Sequence, residues 1–194
     1  LSSSSAASDV YKRQLVVRLV HDLSGRAGLG SGWLALHAPV GASIVARVHR
    51  NPGFHRIGGV PMVLIGNGTG IAGLRSLLRE AAHAGEHGHW LLFGERQRAH
   101  DFLFADEIEA WQADGHLARV DLAFSRDGEG GYVQDCLHAA TDALREWMQR
   151  GAVIHVCGSL QGMAEGVGQV LRAALGDEVV ETLLETGRYR RDVY

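Results

Sequence analysis

A glycine-rich segment, residues 61–73, restricts the possible fold of this chain more than any other stretch. It starts at Pro61 with a short apolar run, reaches a cluster of glycines after Ile65, and passes directly into an amphipathic run over residues 74–84. This order predicts a buried strand, a tight turn and then a helix whose first amide groups are free.

The glycines of this turn favour an anion-binding site. Gly68, Gly70 and Gly73 follow the G-x-G-x-x-G spacing. Glycines at these places allow positive φ angles and a close approach of backbone N–H groups to a phosphate, and the helix N-terminus adds a partial positive charge. The first hypothesis is therefore a pyrophosphate-binding turn for a nucleotide. The alternative is a glycine-rich connection between a strand and a helix that binds no ligand.

From Pro61 onwards, strand patterns and helix patterns alternate. The predicted strands are residues 62–65, 89–93, 119–124 and 152–157, and the predicted helices lie near residues 70–84, 104–113, 133–150, 160–175 and 178–185. Short, continuous apolar strands separated by helices are typical of a parallel sheet that is covered on both faces. We therefore predict an α/β fold, a parallel doubly wound (Rossmann-like) nucleotide-binding domain, with a tail over residues 187–194.

The part of the chain before this domain is too short to form a core of its own. It contains two β-rich runs, residues 15–20 and 44–48, and a short helix pattern over residues 32–37. We predict that residues 15–58 are the remnant of a β domain and that residues 59–194 form the nucleotide-binding domain. Residues 1–14 begin with a serine- and alanine-rich run and are expected to be a disordered leader or a read-through artefact.

Composition argues against several classes of protein. The net charge of −3 gives no basic surface for nucleic acid, and no apolar run approaches the roughly 20 residues of a membrane-spanning helix. The two cysteines, Cys136 and Cys157, cannot form a disulfide framework, so a reducing location is expected, in the cytoplasm or, if the full-length protein is anchored, at the cytoplasmic face of the membrane. His83, His87 and His89 lack paired cysteines, and we predict no metal site there. The G-x-S-x-G motif of hydrolases is absent from the sequence.

Small, polar or reactive residues follow each of the predicted strands. These strand ends are Gly66-Asn67-Gly68, Gly94-Glu95-Arg96, Ser125-Arg126-Asp127 and Cys157-Gly158-Ser159. Ligands of an open parallel sheet bind outside the carboxyl ends of its strands. We therefore expect these ends to form one binding edge.

Ser125 and Arg126 indicate which nucleotide binds at this edge. A Rossmann domain that prefers NAD usually presents an acid to the ribose hydroxyls, whereas arginine suits a 2′-phosphate. Tyr132 and Gln134 follow closely and could complete that pocket; the alternative is a solvated loop with a surface arginine. Cys157 ends a strand beside two small residues, which favours a role in the site over simple packing.

The chain from Pro61 to Tyr194 resembles the NADPH-binding half of the ferredoxin–NADP reductase superfamily, in particular the diflavin reductases, which include cytochrome reductase and the sulfite reductase flavoprotein. The motifs that carry the resemblance occur in the family order: the glycine turn of residues 66–72, Gly94-Glu95-Arg96 with Asp101-Phe102-Leu103, Ser125-Arg126, Tyr132-Val133-Gln134, Cys157-Gly158 and the ending of residues 187–194. Upstream, Gly28-Leu29-Gly30-Ser31 resembles a flavin-binding motif, which makes residues 15–58 the remnant of an FAD-binding β-barrel domain.

The resemblance implies a role for each motif. The turn with Gly66, Gly68, Thr69 and Gly70 holds the NADPH pyrophosphate, Arg96 lies near the cofactor phosphates, and Ser125, Arg126, Tyr132 and Gln134 bind the 2′-phosphate. Cys157 and Gly158 lie beside the nicotinamide, Asp192 assists hydride transfer, and Tyr194 stacks over the flavin ring. Gly28, Gly30 and Ser31 bind the FAD pyrophosphate.

The implied function is hydride transfer from NADPH to FAD, with onward electron transfer to a flavin, haem or iron–sulfur partner. The chain departs from the family pattern at Asn67 and Gly73, where proline is common, and at Gly130, where lysine is usual. The family's Arg-x-Tyr-Ser flavin motif is absent from residues 1–14, so weak FAD binding by this chain is expected. The alternatives are a non-catalytic NADPH-binding or partner-docking module and a stand-alone flavin reductase.

Overall fold

The computed structural model describes residues 14–47, 51–128 and 130–194. It divides the chain into two compact units, with the division between residues 50 and 51. The predicted leader lies outside the described residues except for Gln14. The assignment of residues 15–58 to an FAD-binding remnant and of residues 59–194 to an NADPH-binding domain stays a prediction.

The first unit contains a short helix, α1 (Leu29–Gly32), which continues as a π-helical turn over Trp33–His37. The predicted strand over residues 15–20 is wrong, because these residues have no strand structure. Residues 44–47 also lie outside any strand, and Val48 lies outside the described residues.

The first unit shows why a β-rich sequence is not sufficient for a strand. An isolated antiparallel bridge joins His21 to Ala27, and no ladder forms among residues 14–47. A strand needs a second strand to accept and donate its backbone hydrogen bonds. Without one, apolar side chains such as Leu23 and Val45 are fully exposed.

The second unit is built on a five-stranded sheet in which all neighbouring strands are parallel. Its strands are β1 (Met62–Asn67), β2 (His89–Glu95), β3 (Leu117–Phe124), β4 (Val153–Gly158) and β5 (Tyr189–Val193). Their spatial order is β3-β2-β1-β4-β5, so the chain moves outwards from β1 to β3 and then returns to the other side of β1. This order confirms the predicted doubly wound fold.

Helices connect these strands on both faces of the sheet. They are α2 (Ile71–His83), α3 (Arg98–Asp101), α4 (Ala105–Ala113), α5 (Val133–Ala139), α6 (Thr141–Gln149), α7 (Glu165–Leu175) and α8 (Asp177–Glu185). The helix predicted over residues 133–150 is interrupted at Ala140. The helix predicted near residues 160–175 begins with a π-helical turn, Leu160–Ala164, in which Gly162 has a φ of +76°. None of the helices in the described ranges has the length and apolar character needed to cross a membrane.

The tail predicted over residues 187–194 contains the fifth strand. The segment Tyr189–Val193 carries two arginines and an aspartate, so its own pattern does not indicate a buried strand. Pairing with β4 imposes the strand conformation, and Cys157 lies opposite Asp192 in that pairing.

Two apolar layers bury the sheet. Helices α5 to α8 cover one face, where Trp90 and Val156 are completely buried. Helices α2 and α4 cover the other face, where Leu64, Leu91 and Phe93 are completely buried. Each such side chain contributes about 1.5–3 kcal/mol when it leaves water, so these layers are the main source of stability.

Residues 54–56, near the start of the second unit, pack against its sheet and against Glu86. The Phe54 ring lies 5.4 Å from the ring of His155 in an edge-to-face contact. Arg56 forms an ion pair with Glu86 at 2.8 Å. His155 is fully buried, and its Nε2 donates a hydrogen bond to the carbonyl oxygen of His55 at 3.0 Å. These contacts fix the segment that leads into β1.

Candidate functional site

The carboxyl ends of β1 and β4 lie side by side at the centre of the sheet, and the strand order reverses between them. The register places Gly66 opposite Cys157 and Cys157 opposite Asp192. A ligand of an open α/β sheet binds in the crevice at such a reversal point. The structure therefore brings these three predicted site residues together at the position where a ligand is expected.

The glycines of the turn after β1 are required by packing against β4. A Cβ atom added to Gly70 would lie 2.1 Å from the carbonyl oxygen of Cys157, and one added to Gly66 would lie 2.5 Å from the same oxygen. Gly68 has a φ of +56°, in the left-handed region that favours glycine. The glycine pattern is thus needed for the fold itself, and its role in phosphate binding stays a prediction.

Asn67 joins the ends of β1 and β4. Its Oδ1 accepts a hydrogen bond from the backbone N–H of Ser159 at 2.9 Å. Gly158 has a φ of +132°, and a Cβ atom there would lie 2.4 Å from Asn67 Oδ1. Asn67 was noted in the sequence only as a departure from the family pattern; its partner is distant along the chain, so no local signal indicated this contact.

The thiol of Cys157 belongs to the core layer beneath α2 and is 3% exposed. A Cβ atom added to Gly73 would lie 3.0 Å from its Sγ. Burial, and then the negative charge of Asp192, raise the pKa of this thiol to about 12. The thiol is therefore neutral at physiological pH and is not a thiolate nucleophile.

Tyr194 lies across the glycine turn. Its hydroxyl is 2.7 Å from Oγ1 of Thr69, a hydrogen-bond distance. Its backbone is fixed on both sides, because its N–H donates to the carbonyl of Gly158 at 3.1 Å and its carbonyl accepts from Leu160 at 3.0 Å. The side chain itself is 65% exposed. The ring is therefore held over the turn mainly by one bond that can break.

The loops that follow β2 and β3 are joined by backbone hydrogen bonds. Ser125 N–H donates to the carbonyl of Glu95 at 2.9 Å, and Arg126 N–H donates to the carbonyl of Arg96 at 2.8 Å. The side chains of Arg96 and Arg126 are exposed, and neither forms an ion pair within the described part of the chain. This second group of predicted site residues presents two exposed guanidinium groups at the edge, and a guanidinium suits a phosphate.

The start of α5 lies between the two groups. A Cβ atom added to Gly94 would lie 3.4 Å from Cβ of Val133 and 3.7 Å from Cβ of Asn67. Tyr132, which precedes α5, is 61% exposed, and its N–H donates to the carboxylate of Asp135 at 2.8 Å. The Tyr132 ring is therefore available to a ligand at this edge.

Gln134 packs between α5 and α7. A Cβ atom added to Gly166 would lie 3.0 Å from its Cγ. Its Oε1 is buried and has no hydrogen-bond partner among the described residues. The side chain lines a cavity of about 450 Å³ between these two helices. The structure gives no contact that joins Gln134 directly to Ser125 or Arg126.

The comparison with known families gives a clear assignment. A model of the oxidoreductase NAD-binding domain matches residues 64–169, which is more than half of the chain. This chain belongs to the oxidoreductase NAD-binding domain family. The matched residues include the strand ends of this NAD-binding domain, from the glycine turn to Cys157. The resemblance inferred from the sequence is confirmed for the family, and the role of each single residue stays a prediction.

Several relatives of this chain carry the name sulfite reductase (NADPH) flavoprotein alpha-component. Proteins of that name from Neisseria meningitidis serogroup C, Mannheimia succiniciproducens and Vibrio cholerae are 37%, 34% and 35% identical to the chain. The alignments cover 100% of the chain and 34–35% of these relatives. The chain thus spans about a third of the length of the curated relatives that it matches.

The remaining predicted residues, Gly28, Gly30 and Ser31, lie in the first unit. Ser31 Oγ accepts a hydrogen bond from the N–H of Val20 at 3.3 Å, which leaves its own O–H able to donate. A cavity of about 530 Å³ is lined by Gly28, Gly30 and Trp33. A Cβ atom added to Gly30 would meet no atom within 4 Å, so the backbone there is open to a ligand. This hydroxyl and open backbone fit the phosphate end of a flavin nucleotide.

Proposed function

We propose that this chain is a reductase module that transfers hydride from NADPH to FAD. The observation that carries the proposal is the packing of the glycine turn, Cys157 and Tyr194 at the strand-order reversal of an oxidoreductase NAD-binding domain. The relatives of this chain are named as NADPH-dependent flavoproteins, which agrees with the pair of substrates.

The glycine turn and the two loops beside it would bind the phosphates of NADPH. Backbone N–H groups at the start of α2 would face the pyrophosphate, in which Gly68 and Thr69 take part. Arg96 would add charge to the same groups. Ser125 and Arg126 would bind the 2′-phosphate, because the hydroxyl donates one hydrogen bond and the guanidinium supplies a planar fork.

Tyr132 and Gln134 would complete the 2′-phosphate pocket at the adenosine end of the nucleotide. The exposed ring of Tyr132 offers a flat surface on which adenine could stack. The buried, unpartnered Oε1 of Gln134 would gain a hydrogen bond only if a donor entered the cavity between α5 and α7.

At the nicotinamide end, Tyr194 would control access. Its ring covers the turn in the free protein and would have to move aside, with loss of its bond to Thr69, before the nicotinamide could enter. Cys157, whose neutral thiol is buried beneath α2, would support the strand end beside the nicotinamide without reacting with the ring, and Asp192 would balance the positive charge of the oxidised nicotinamide. FAD, when bound by Gly28, Gly30 and Ser31, supplies the hydride acceptor.

The electrons would pass from FAD to a flavin, haem or iron–sulfur partner. We place this activity in the cytoplasm, because Cys136 and Cys157 are both free thiols and a reducing compartment keeps them so. The same proposal assigns residues 15–58 to the remnant of an FAD-binding domain and residues 59–194 to the NADPH-binding domain.

The test is to add FAD and NADPH to the purified chain without air. Hydride transfer is expected to bleach the visible absorption band of oxidised FAD, with NADP⁺ as the other product. Binding of NADP⁺ without bleaching would favour a non-catalytic NADPH-binding or docking module. Rapid bleaching of free riboflavin as well as FAD would favour a stand-alone flavin reductase. Absence of NADP⁺ binding would exclude the proposal.

A further inference from the structure

Arg98 is an exposed arginine at the carboxyl edge that the sequence analysis did not single out. It is the first residue of α3, in the connection between β2 and α4. Its guanidinium carbon lies 5.2 Å from the centre of the Phe102 ring and 5.1 Å from that of Phe124. Phe124 ends β3, directly before Ser125. The two rings therefore hold the Arg98 side chain beside the loop that carries Ser125 and Arg126.

Three carboxylates of these loops accept hydrogen bonds from backbone amides, and one of them is Glu95, which accepts from the N–H of Arg96 at 3.1 Å. Asp127 accepts a hydrogen bond from the backbone N–H of Arg98 at 2.6 Å, and Asp101 accepts one from the N–H of Gln97 at 3.0 Å. Within residues 51–128 and 130–194, the Arg98 guanidinium forms no ion pair. It is therefore available to an anion from solution.

The negative charge of a 2′-phosphate is larger than the positive charge that Arg126 alone supplies. A phosphate monoester carries about −1.5 to −2 charges near pH 7, and one arginine supplies a single positive charge. The other flank of the Ser125 loop contains Gly128, Gly130 and Gly131, which offer no cation. Gly130 has a φ of +69°, and a Cβ atom there would lie 3.1 Å from the carbonyl oxygen of Ser125, so a longer side chain would be strained.

We propose that Arg98 is a further ligand of the 2′-phosphate of NADPH and that it increases the preference of this chain for NADPH over NADH. The inference rests on the proposed function, because it needs the nucleotide at this edge. Stacking on Phe102 and Phe124 limits the motion of the guanidinium before the ligand arrives, which lowers the entropic cost of the contact. A bound phosphate would then meet Arg98 from one loop and Arg126 from the next.

The experiment measures dissociation constants by titration calorimetry for NADP⁺, NAD⁺ and adenosine 2′,5′-bisphosphate. The proteins are the native chain, Arg98→Ala, Arg98→Lys and the control Arg150→Ala. Arg150 is a matched control because its guanidinium also stacks on a ring, that of Trp147 at 4.7 Å, but it lies before β4 at the opposite end of the sheet.

Arg98→Ala is expected to weaken the binding of NADP⁺ and of adenosine 2′,5′-bisphosphate about tenfold, because one charged hydrogen bond is lost. NAD⁺ affinity should stay within about twofold, since NAD⁺ has no 2′-phosphate to lose a contact. The NADP⁺ affinity of Arg98→Lys should lie between those of the native chain and Arg98→Ala, because lysine keeps the charge and lacks the planar guanidinium. Arg150→Ala should match the native chain for all three ligands.

Two results would overturn the inference and leave the proposed function intact. One is native-like NADP⁺ affinity in both Arg98 variants while Arg126→Ala weakens NADP⁺. The other is an equal loss of NADP⁺ and NAD⁺ affinity in Arg98→Ala, which would show that Arg98 only supports the loop. If the native chain binds neither dinucleotide, the proposed function fails and the inference fails with it.

Discussion

The amino and carboxyl edges of the sheet differ in the burial of their polar side chains, which are buried histidines at the amino edge and exposed arginines at the carboxyl edge. At the amino edge, His89 and His116 are each 1% exposed. His89 Nδ1 accepts a hydrogen bond from the N–H of Met62 at 3.2 Å, and the ring nitrogens of His116 lie 2.9 Å from the carbonyl oxygens of Glu86 and Leu78. Three of these four ring nitrogens thus have partners inside the protein, whereas Nε2 of His89 is buried without one among the described residues. Both histidines belong to the folded interior, and their contacts contribute to the stability of the fold.

At the carboxyl edge, the positive groups lack internal partners. Arg96, Arg98 and Arg126 are exposed and form no ion pairs within the described ranges. A charge that the protein leaves unpaired at a strand-order reversal is available to a ligand. The comparison teaches that substitutions at the amino edge should change stability, and that those at the carboxyl edge should change nucleotide binding.

The largest expected effect is a loss of stability caused by a substitution at the carboxyl edge, and it is an exception to this rule. Gly70→Ala lies at the carboxyl edge, yet its new methyl group would be 2.1 Å from the Cys157 carbonyl oxygen. The backbone would have to shift, so we expect unfolding free energy to fall by about 3 kcal/mol. Urea unfolding followed by tryptophan fluorescence measures this change.

Gly168→Ala is the matched control for Gly70→Ala. A Cβ atom at Gly168, inside α7, would meet no atom within 4 Å. Gly168→Ala should raise the free energy of unfolding by about 0.5–1 kcal/mol, because alanine has a higher helix propensity than glycine. Equal stability of the two variants would contradict the close approach of the turn to β4.

The second effect is the pH dependence of stability at the amino edge. Burial, and then the nearby His116, lower the pKa of His89 to about 4, with His87 and Arg56 acting in the same direction and Glu86 opposing. The unfolded state therefore binds the extra proton first, and the contribution of His89 to the free energy of unfolding should fall as pH drops below about 6.5, by roughly 2 kcal/mol at pH 5. Buried His155, whose pKa is also lowered to about 4, should add a loss of the same sign. Chemical unfolding at several pH values measures the slope.

His89→Gln isolates this contribution. The variant should lose stability less steeply between about pH 6.5 and 4 than the native chain, because the titrating group is gone. The exposed His138→Gln should keep the native slope. A native slope in His89→Gln would show that His89 is not held neutral.

The third effect belongs to the carboxyl edge. Arg126→Ala should weaken NADP⁺ at least about tenfold and change NAD⁺ affinity little, because only NADP⁺ carries the 2′-phosphate. Its unfolding free energy should stay within about 0.5 kcal/mol of native, as for an exposed residue. Calorimetric titration gives the affinities. Equal losses for both nucleotides would contradict the assignment of the pocket.

The smallest effect concerns the bond between Tyr194 and Thr69. Tyr194→Phe keeps the ring and removes the hydroxyl that contacts Thr69, so moving the ring away from the glycine turn costs less free energy. We expect both dinucleotides to bind about threefold more tightly, consistent with the loss of one exposed hydrogen bond. Tyr194→Ala should improve NADH access further by removing the ring. Unchanged affinities in both variants would exclude a covering role for Tyr194.

The sequence by itself determined that the second unit is a parallel sheet covered by helices, and it predicts the edge at which a ligand binds. Four apolar runs with helices between them specify a parallel sheet, because strand and helix periodicities are local properties of the chain. The glycine turn could also be predicted from the sequence, because its glycines lie within a few residues of the end of β1. Ser125 and Arg126 were identified as a pair for the same reason.

The tertiary structure alone decided the features that depend on distant partners. Tyr189–Val193 becomes a strand because β4 offers it hydrogen bonds, whereas residues 15–20 have a strand-like sequence but form no ladder among residues 14–47. Likewise, the neutral state of Cys157 follows from burial under α2, and the position of Arg98 follows from two rings that meet only after folding. Hydrogen bonding, burial and charge act between groups that the chain brings together from far apart, and a local pattern does not contain that information.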